Sequence, residues 1–205
     1  MGLPSDYRQL TYVESTGSQY INTGFTPNGK SKIEMQIAIT NYSANNCFFC
    51  ARDAASGTDA KSFTAFYIKG TSSAAGYYRF DFYGKSKSSS SAEDANVITN
   101  LIAENGTLTI GSFTITTSSS SSSSNMPWIL LASSTSSSIS SINNAAKAKL
   151  YSCKIYDDGV LVRDFVPCNN PSNVAGLYDL IGNKFYPSAS STALIAGPYT
   201  NIKTG

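Results

Sequence analysis

The sequence predicts an all-β chain folded as a two-sheet antiparallel sandwich or jelly roll. Three observations carry that expectation. Short segments in which apolar and polar residues alternate with period two follow one another along the chain, separated by Gly, Asn, Asp and Ser. Tyr (13) and Phe (10) are abundant beside Ser and Thr, and aromatic and β-branched residues suit a pleated, half-buried surface. The strong helix formers are nowhere concentrated at a 3.6-residue spacing.

The strands are expected in this order. Residues 9–14 (QLTYVE) and 18–23 (SQYINT) flank Ser15-Thr16-Gly17, which reads as a hairpin-like turn. Residues 31–40 (SKIEMQIAIT) alternate strictly, with Ile33, Met35, Ile37 and Ile39 on one face and Lys32, Glu34 and Gln36 on the other. Residues 46–53, 62–69 (SFTAFYIK) and 77–83 (YYRFDFY) follow. In the last, Tyr78, Phe80 and Phe82 share one face, and Tyr77, Arg79, Asp81 and Tyr83 the other. Residues 97–102 and 107–116 (TLTIGSFTIT) are joined through Asn105-Gly106, a type I′ turn pair. Residues 126–132 (MPWILLA) form a compact apolar run in which Trp128 reads as core. Residues 149–157 and 160–166 bracket Asp158-Gly159, the second hairpin signal, and residues 176–180 and 184–186 flank Ile181-Gly182-Asn183.

Three serine-rich stretches, residues 85–91, 118–124 and 133–141, lie between these segments and read as long solvated loops. The strands on both sides of each belong to one core. A single domain over residues 1–205 is therefore expected, with 1–7 and 198–205 as extended termini.

Composition excludes several functions. Lys and Arg number 15 against 13 Asp and Glu, so the net charge is +2, and only 14% of residues are charged. No basic cluster offers a nucleic-acid platform. The absence of His removes Ser-His and Cys-His nucleophile pairs and any His-ligated metal. No apolar run approaches the roughly 18 residues of a membrane span, and MGLPSDYRQL does not read as a secretory signal. Cys47, Cys50, Cys153 and Cys168 read as buried free thiols, which fits assembly in a reducing compartment. Within the run CFFC, a regular strand would point Cys47 and Cys50 to opposite faces, where they could not bridge without a kink.

The opening LPSDYRQLTYVESTGSQYINTGF and the closing KLYSCKIYDDGVLVRDFVPCNNPSNVAGLYDLIGNKFY resemble the first and last strands of concanavalin A-like (laminin G-like) jelly-roll modules of gut-phage and gut-bacterial surface proteins. The two segments bracket essentially the whole chain. The resemblance implies a concanavalin A-like jelly roll without catalytic activity, serving binding or adhesion in a phage tail, a virion surface or a bacterial cell surface. Its partner would be a glycan or another surface protein, and oligomers are compatible with it. It requires no cofactor and leaves calcium as an option, because such modules often hold that ion at a sandwich rim. The serine-rich middle departs from the pattern.

For a glycan the physical need is a flat aromatic ring to stack on sugar C–H groups beside planar polar groups for the hydroxyls. Tyr77, Arg79, Asp81 and Tyr83 offer both on one strand face, and Arg52 and Tyr67 extend it. The plainer alternative is an Arg79–Asp81 surface pair with tyrosines covering a sheet. A retaining glycosidase would need two carboxylates about 5 Å apart, and no Glu-x-Asp-x-(x)-Glu pattern supplies them. Zinc on four cysteines is disfavoured by spacing, since counting back from Asp158-Gly159 sets Cys153 opposite Asp164 and Cys168 opposite Lys149. For calcium the carboxylates in or beside loops are Asp53, Asp59, Asp94, Asp157 and Asp158, each of which could instead bond its own turn.

Overall fold

The computed structural model describes residues 2–52, 60–71, 76–134, 139 and 141–200, and among them every regular element is a strand. No helix there is long and apolar enough to cross a membrane. In chain order the described strands are β1 (Arg8–Gln9), β2 (Val13–Thr16), β3 (Ile21–Asn22), β4 (Lys32–Ile39), β5 (Asn46–Ala51), β6 (Phe63–Ile68) and β7 (Tyr77–Phe82). There follow β8 (Lys85–Ser88), β9 (Thr99–Glu104), β10 (Thr107–Ile110), β11 (Phe113–Thr116), β12 (Ile129–Leu130), β13 (Ser133–Ser134) and β14 (Ile142–Asn143). The last are β15 (Lys147–Asp157), β16 (Val160–Asn169), β17 (Ala175–Asp179), β18 (Lys184–Pro187) and β19 (Ile195–Ala196).

Two antiparallel sheets pack as a sandwich, consistent with a jelly roll. The larger runs β11-β10-β9-β4-β15-β16-β17-β18, and the smaller β3-β12-β5-β6-β7-β8. The eleven-residue β15 is the spine of the larger sheet. One edge pairs with β4 along its length, while the other takes β2 at Lys147–Leu150 and β16 at Cys153–Asp157. Strands β13 and β14 form a separate two-stranded unit.

Alternation places the core. Ile33, Met35, Ile37, Leu101, Leu150 and Ile155 of the larger sheet are buried against Phe49, Phe63, Phe80, Phe82 and Trp128 of the smaller. Phe63 lies edge-on to Phe82 (4.8 Å between centroids) and to Trp128 (4.9 Å). The indole of Trp128 donates from Nε1 to the Phe63 carbonyl at 3.1 Å, so its one polar atom is satisfied inside the core.

Local turn chemistry sets the hairpins. Asn105-Gly106 (φ 43° and 77°) and Asp158-Gly159 (47° and 81°) both adopt the left-handed pair of a type I′ turn. A third such pair, Tyr83-Gly84 (44° and 82°), turns β7 into β8. Residues 85–88 are therefore an exposed edge strand rather than a loop. Tyr is an uncommon turn residue, and the KSKS run has weak strand propensity, which hid this hairpin.

Other boundaries also differ from expectation. Residues 107–116 are two strands, because Gly111 (φ 56°) turns the chain between Ile110 and Phe113. The Ser15-Thr16-Gly17 turn makes no hairpin. β2 joins the larger sheet through β15 while β3 joins the smaller through β12, so the chain crosses between sheets there. The serine run at 118–124 is held rather than free: Gly29 N donates to the Ser122 carbonyl at 2.8 Å, and buried Ser124 donates from Oγ to the Lys61 carbonyl at 2.7 Å. A register shift between Ile155 and Tyr156 sets Cys153 opposite Phe165 instead of Asp164, and Cys168 pairs with Gln9 and Gly176 rather than facing Lys149. Of the terminal segments, Tyr7 packs on Tyr178 and Phe185, and Thr200 N donates to the Gln9 carbonyl; residues 1 and 201–205 lie outside the described residues.

Replacing Phe63 by Ala should lower unfolding free energy by about 3–5 kcal/mol, through lost contacts and an uncollapsed cavity. Val160→Ala, at a position 64% exposed, should stay within about 0.5 kcal/mol. Chemical-denaturation midpoints with unchanged slopes would check both.

Candidate functional site

The outward faces of the two sheets differ in kind. On the smaller sheet, β5 carries a bulge between Cys47 and Phe49, so Cys47 pairs with Phe66 and Cys50 with Thr64. Phe66 and Thr64 are two residues apart on β6 and point the same way. Cys47 and Cys50 therefore share the outward face, while Phe48 and Phe49 both enter the core. This is the kink that a regular strand reading lacked. Cys47, Cys50, Phe66 and Ile129 make a second apolar cluster on this face, against which Ile139 and Ile142 pack.

The β13–β14 unit lies over that cluster. Arg52 Nε donates to the Ser134 carbonyl at 3.0 Å, and Ser134 Oγ donates back to the Arg52 carbonyl at 2.8 Å. Beside them, Arg79 Nε donates to Asp81 Oδ1 at 2.9 Å. The Asp81 side chain is 1% exposed and its Oδ2 has no hydrogen-bond partner. Burial raises the Asp81 carboxyl above its ordinary value, against the opposing hydrogen bond from Arg79.

The expected solvent-facing site is thus only partly open. Tyr77 and Arg79 are half-buried, whereas Arg52 and Asp81 are buried. Tyr67 and Tyr83 are not on this face at all. Tyr67 pairs across the ladder with Tyr78 and turns inward, where its ring stacks on Tyr42 at 4.2 Å. Tyr83 lies past the last residue of β7. Its left-handed backbone ends the alternation and swings the ring against Phe63 and Phe82, with its hydroxyl donating to the Pro27 carbonyl at 3.1 Å. Burial pushes that hydroxyl up to about 12.

Among the described residues, the outward face of the larger sheet is open over β9, β4 and β15. A furrow of about 340 Å³ runs across β9, β4 and β15, lined by Glu34, Gln36, Asn100, Ile102, Ser152 and Lys154. Gln36 and Asn100 are exposed, and Gln36 Nε2 donates to Asn100 Oδ1 at 3.4 Å. Glu34 is oriented by Lys32 at 2.7 Å and by the Tyr156 hydroxyl at 3.2 Å. On β15, Tyr156 reaches the furrow through its bond to Glu34, and Tyr151, next in sequence to Ser152, sets its ring 5.4 Å from that of Tyr12. A second bulge, between Leu150 and Ser152, brings Tyr151 out of the regular alternation. The strict alternation of residues 31–40 had already set Glu34 and Gln36 on the polar side. Asn100, Ser152 and Lys154 were missed because nothing local says that β9 and β15 flank β4.

Two of the loop carboxylates named for calcium already have side-chain partners. Asp157 Oδ1 accepts from Asn28 Nδ2 at 2.8 Å, and Asp158 Oδ2 pairs with Lys30 at 2.9 Å. Asp94 offers its backbone carbonyl to the Tyr42 hydroxyl. Asp53 and Asp59 lie outside the described residues. Among the described residues no three His, Cys, Asp or Glu side chains group closely enough to hold a metal ion. All four cysteines are buried and free. No protein-family model and no curated protein matches the chain.

Because burial raises the folded-state value of Asp81, the folded protein binds that proton more tightly than the unfolded chain. The stability from this group is present at low pH and lost as pH rises through the raised value. The unfolding free energy of the wild type minus that of Asp81→Asn should therefore grow as pH falls from neutrality toward about 4, the unperturbed carboxylate range. Denaturation series at several pH values measure that difference; a difference that shrinks on acidification would contradict the direction.

Proposed function

We propose that the chain is a non-catalytic binding module of the concanavalin A-like kind, serving adhesion on a phage virion or bacterial cell surface, and that it takes a glycan on the open face of its larger sheet. The observation that carries this reading is the uncovered furrow over β9, β4 and β15. Gln36 and Asn100 present amide donors and acceptors in the plane of an open surface. Such groups match the paired hydroxyls of a sugar ring. Glu34 and Lys154 add a charged acceptor and a charged donor, and Ile102 supplies apolar surface in the furrow itself. Glu34 is held by Lys32 and Tyr156, which suits a fixed hydrogen-bond acceptor. The resemblance of the chain's two ends to jelly-roll surface modules supports the same class.

A second reading, packing against another virion subunit without sugar, is favoured by one feature. Val97 (45% exposed), Ile98 (53%) and Ile102 (37%) lie close in sequence on β9 and its approach, and a protein neighbour would cover them.

A glycan array followed by titration of the best ligand tests the proposal. Gln36→Ala with Asn100→Ala should weaken binding roughly tenfold or more, since each removes a hydrogen bond of about 1 kcal/mol and strands a sugar hydroxyl. Tyr77→Ala with Arg79→Ala should leave it within about twofold. Loss in the second pair alone would move the site to the smaller sheet. A wild type that binds no glycan while forming a discrete oligomer would support the packing reading instead.

A further inference from the structure

Two cysteines three apart in a regular strand lie about 10 Å apart and face opposite ways, at ~3.3 Å per residue. The bulge in β5 removes both obstacles. Cys47 and Cys50 pair with Phe66 and Thr64, neighbours on one face of β6, so they stand side by side across the span of two strand residues, roughly 6.6 Å. That lies at the upper end of the ~4.4–6.8 Å Cα separation a disulfide bridges. Closing such a bridge tightens the bulge, and a bridge under that strain is readily reduced.

The surroundings make the two thiols unequal. Thr64 Oγ1 donates to Cys50 Sγ at 3.4 Å, and Ser134 Oγ lies 3.8 Å from it. Arg52, anchored on Ser133 and Ser134, sets its charge beside them. Burial by itself would raise the Cys50 thiol, but hydrogen bonds from Cys47, Thr64 and Ser134 and the Arg52 charge bring it down to about 7. The Cys47 sulfur also lies 3.4 Å from the Phe49 carbonyl, and burial together with the adjacent Cys50 holds its thiol well above its ordinary value. A thiol brought down in this way beside a second thiol is the pairing of an attacking and a resolving cysteine. Cys153 and Cys168 differ: burial raises Cys153, and it raises Cys168 to about 12.

We propose that Cys47 and Cys50 are a reversible modification site, closed into an intrastrand disulfide by exchange with a small disulfide of the glutathione class. The Cys50 thiolate attacks one sulfur of oxidised glutathione, forming a mixed disulfide and expelling a glutathione thiolate. That thiolate takes the Cys47 proton. Cys47 sulfur then attacks Cys50 sulfur and expels the second glutathione as its thiolate, which takes up a proton from water. Two protein thiols are oxidised and one reagent disulfide is reduced to two thiols. Both cysteines are wholly buried, so the reagent enters when the β13–β14 cover opens. Among the described residues its ladder is two pairs, Ser133 with Asn143 and Ser134 with Ile142, and the Arg52–Ser134 bonds tie it to β5; so short a ladder opens at less cost than the whole fold. The site is independent of the glycan reading.

The test uses the whole chain, incubated with oxidised glutathione in sub-denaturing urea. It is then unfolded, alkylated and mapped by mass spectrometry, with circular dichroism reporting that the fold is kept. The expected product is a peptide bearing a Cys47–Cys50 bridge, reversed by dithiothreitol, with Cys153 and Cys168 alkylated. In Cys47→Ser the mixed disulfide should accumulate on Cys50, and in Cys50→Ser an adduct on Cys47 should form roughly tenfold more slowly or less, following its smaller thiolate fraction. Cys47 and Cys50 both alkylated in the treated wild type, or bridges joining them to Cys153, Cys168 or a second chain, would overturn the proposal. Equal adduct rates in the two variants would overturn the assignment of Cys50 as the attacking group.

Discussion

The ring of Phe63 meets Phe49, Phe80, Phe82, Tyr83 and Trp128, and its carbonyl receives the indole N–H of Trp128. Strands β5, β6, β7 and β12 and the β7–β8 turn all meet at this one residue. Edge-to-face ring pairs contribute about 0.5–1.5 kcal/mol each beyond the area they bury, and they constrain orientation as well as distance. With Phe63 fixed inward, strand alternation fixes Thr64 and Phe66 outward. Their partners on β5 are then Cys50 and Cys47, so the geometry of the outer face follows from the packing of the inner one.

The two outer faces meet different fates for a physical reason. Outward residues of the smaller sheet include Cys47, Cys50, Phe66 and Ile129. Exposing that much apolar surface is unfavourable, and a further layer, β13–β14 with Ile142 beneath it, removes it from water. Asp81 is buried on the same face of the sheet. Its carboxylate keeps one bond to Arg79 and leaves Oδ2 unpartnered, an arrangement that costs stability at neutral pH. Around the furrow of the larger sheet the outward residues are mostly polar, Glu34, Gln36, Asn100, Ser152 and Lys154, with Ile102 among them. Water solvates the polar groups well, so burying them gains little.

Three register shifts do much of the re-aiming of side chains. One in β5 brings two thiols to one face, one at Tyr151 sets an aromatic ring beside Tyr12, and one at Ile155/Tyr156 resets the β15–β16 pairing. Each puts one extra residue on one strand against its partner and bends the strand locally. None follows from hydrophobic alternation. In CFFC a strict period of two assigns Cys47 and Cys50 to opposite faces, and only the count of partners on β6 corrects it.

The sequence by itself determined the all-β class and most strand positions. Alternation in residues 31–40 and the Asn105-Gly106 and Asp158-Gly159 turns are local signals, written within a few neighbouring residues. It also established that Tyr77, Arg79 and Asp81 share a face. Tertiary structure alone decided which face meets water. Arg52 and Asp81 are polar yet buried, and Arg52 is held there by Ser133 and Ser134 from a distant part of the chain. Tyr67 and Tyr83 are polar-tipped yet face inward, through a ladder pairing and a left-handed turn. Alternation distinguishes the two sides of a strand, but what covers each side depends on distant segments. Crossovers such as that between β2 and β3, the β13–β14 layer and the bulges are set by the whole packed chain, and no local window of residues contains them.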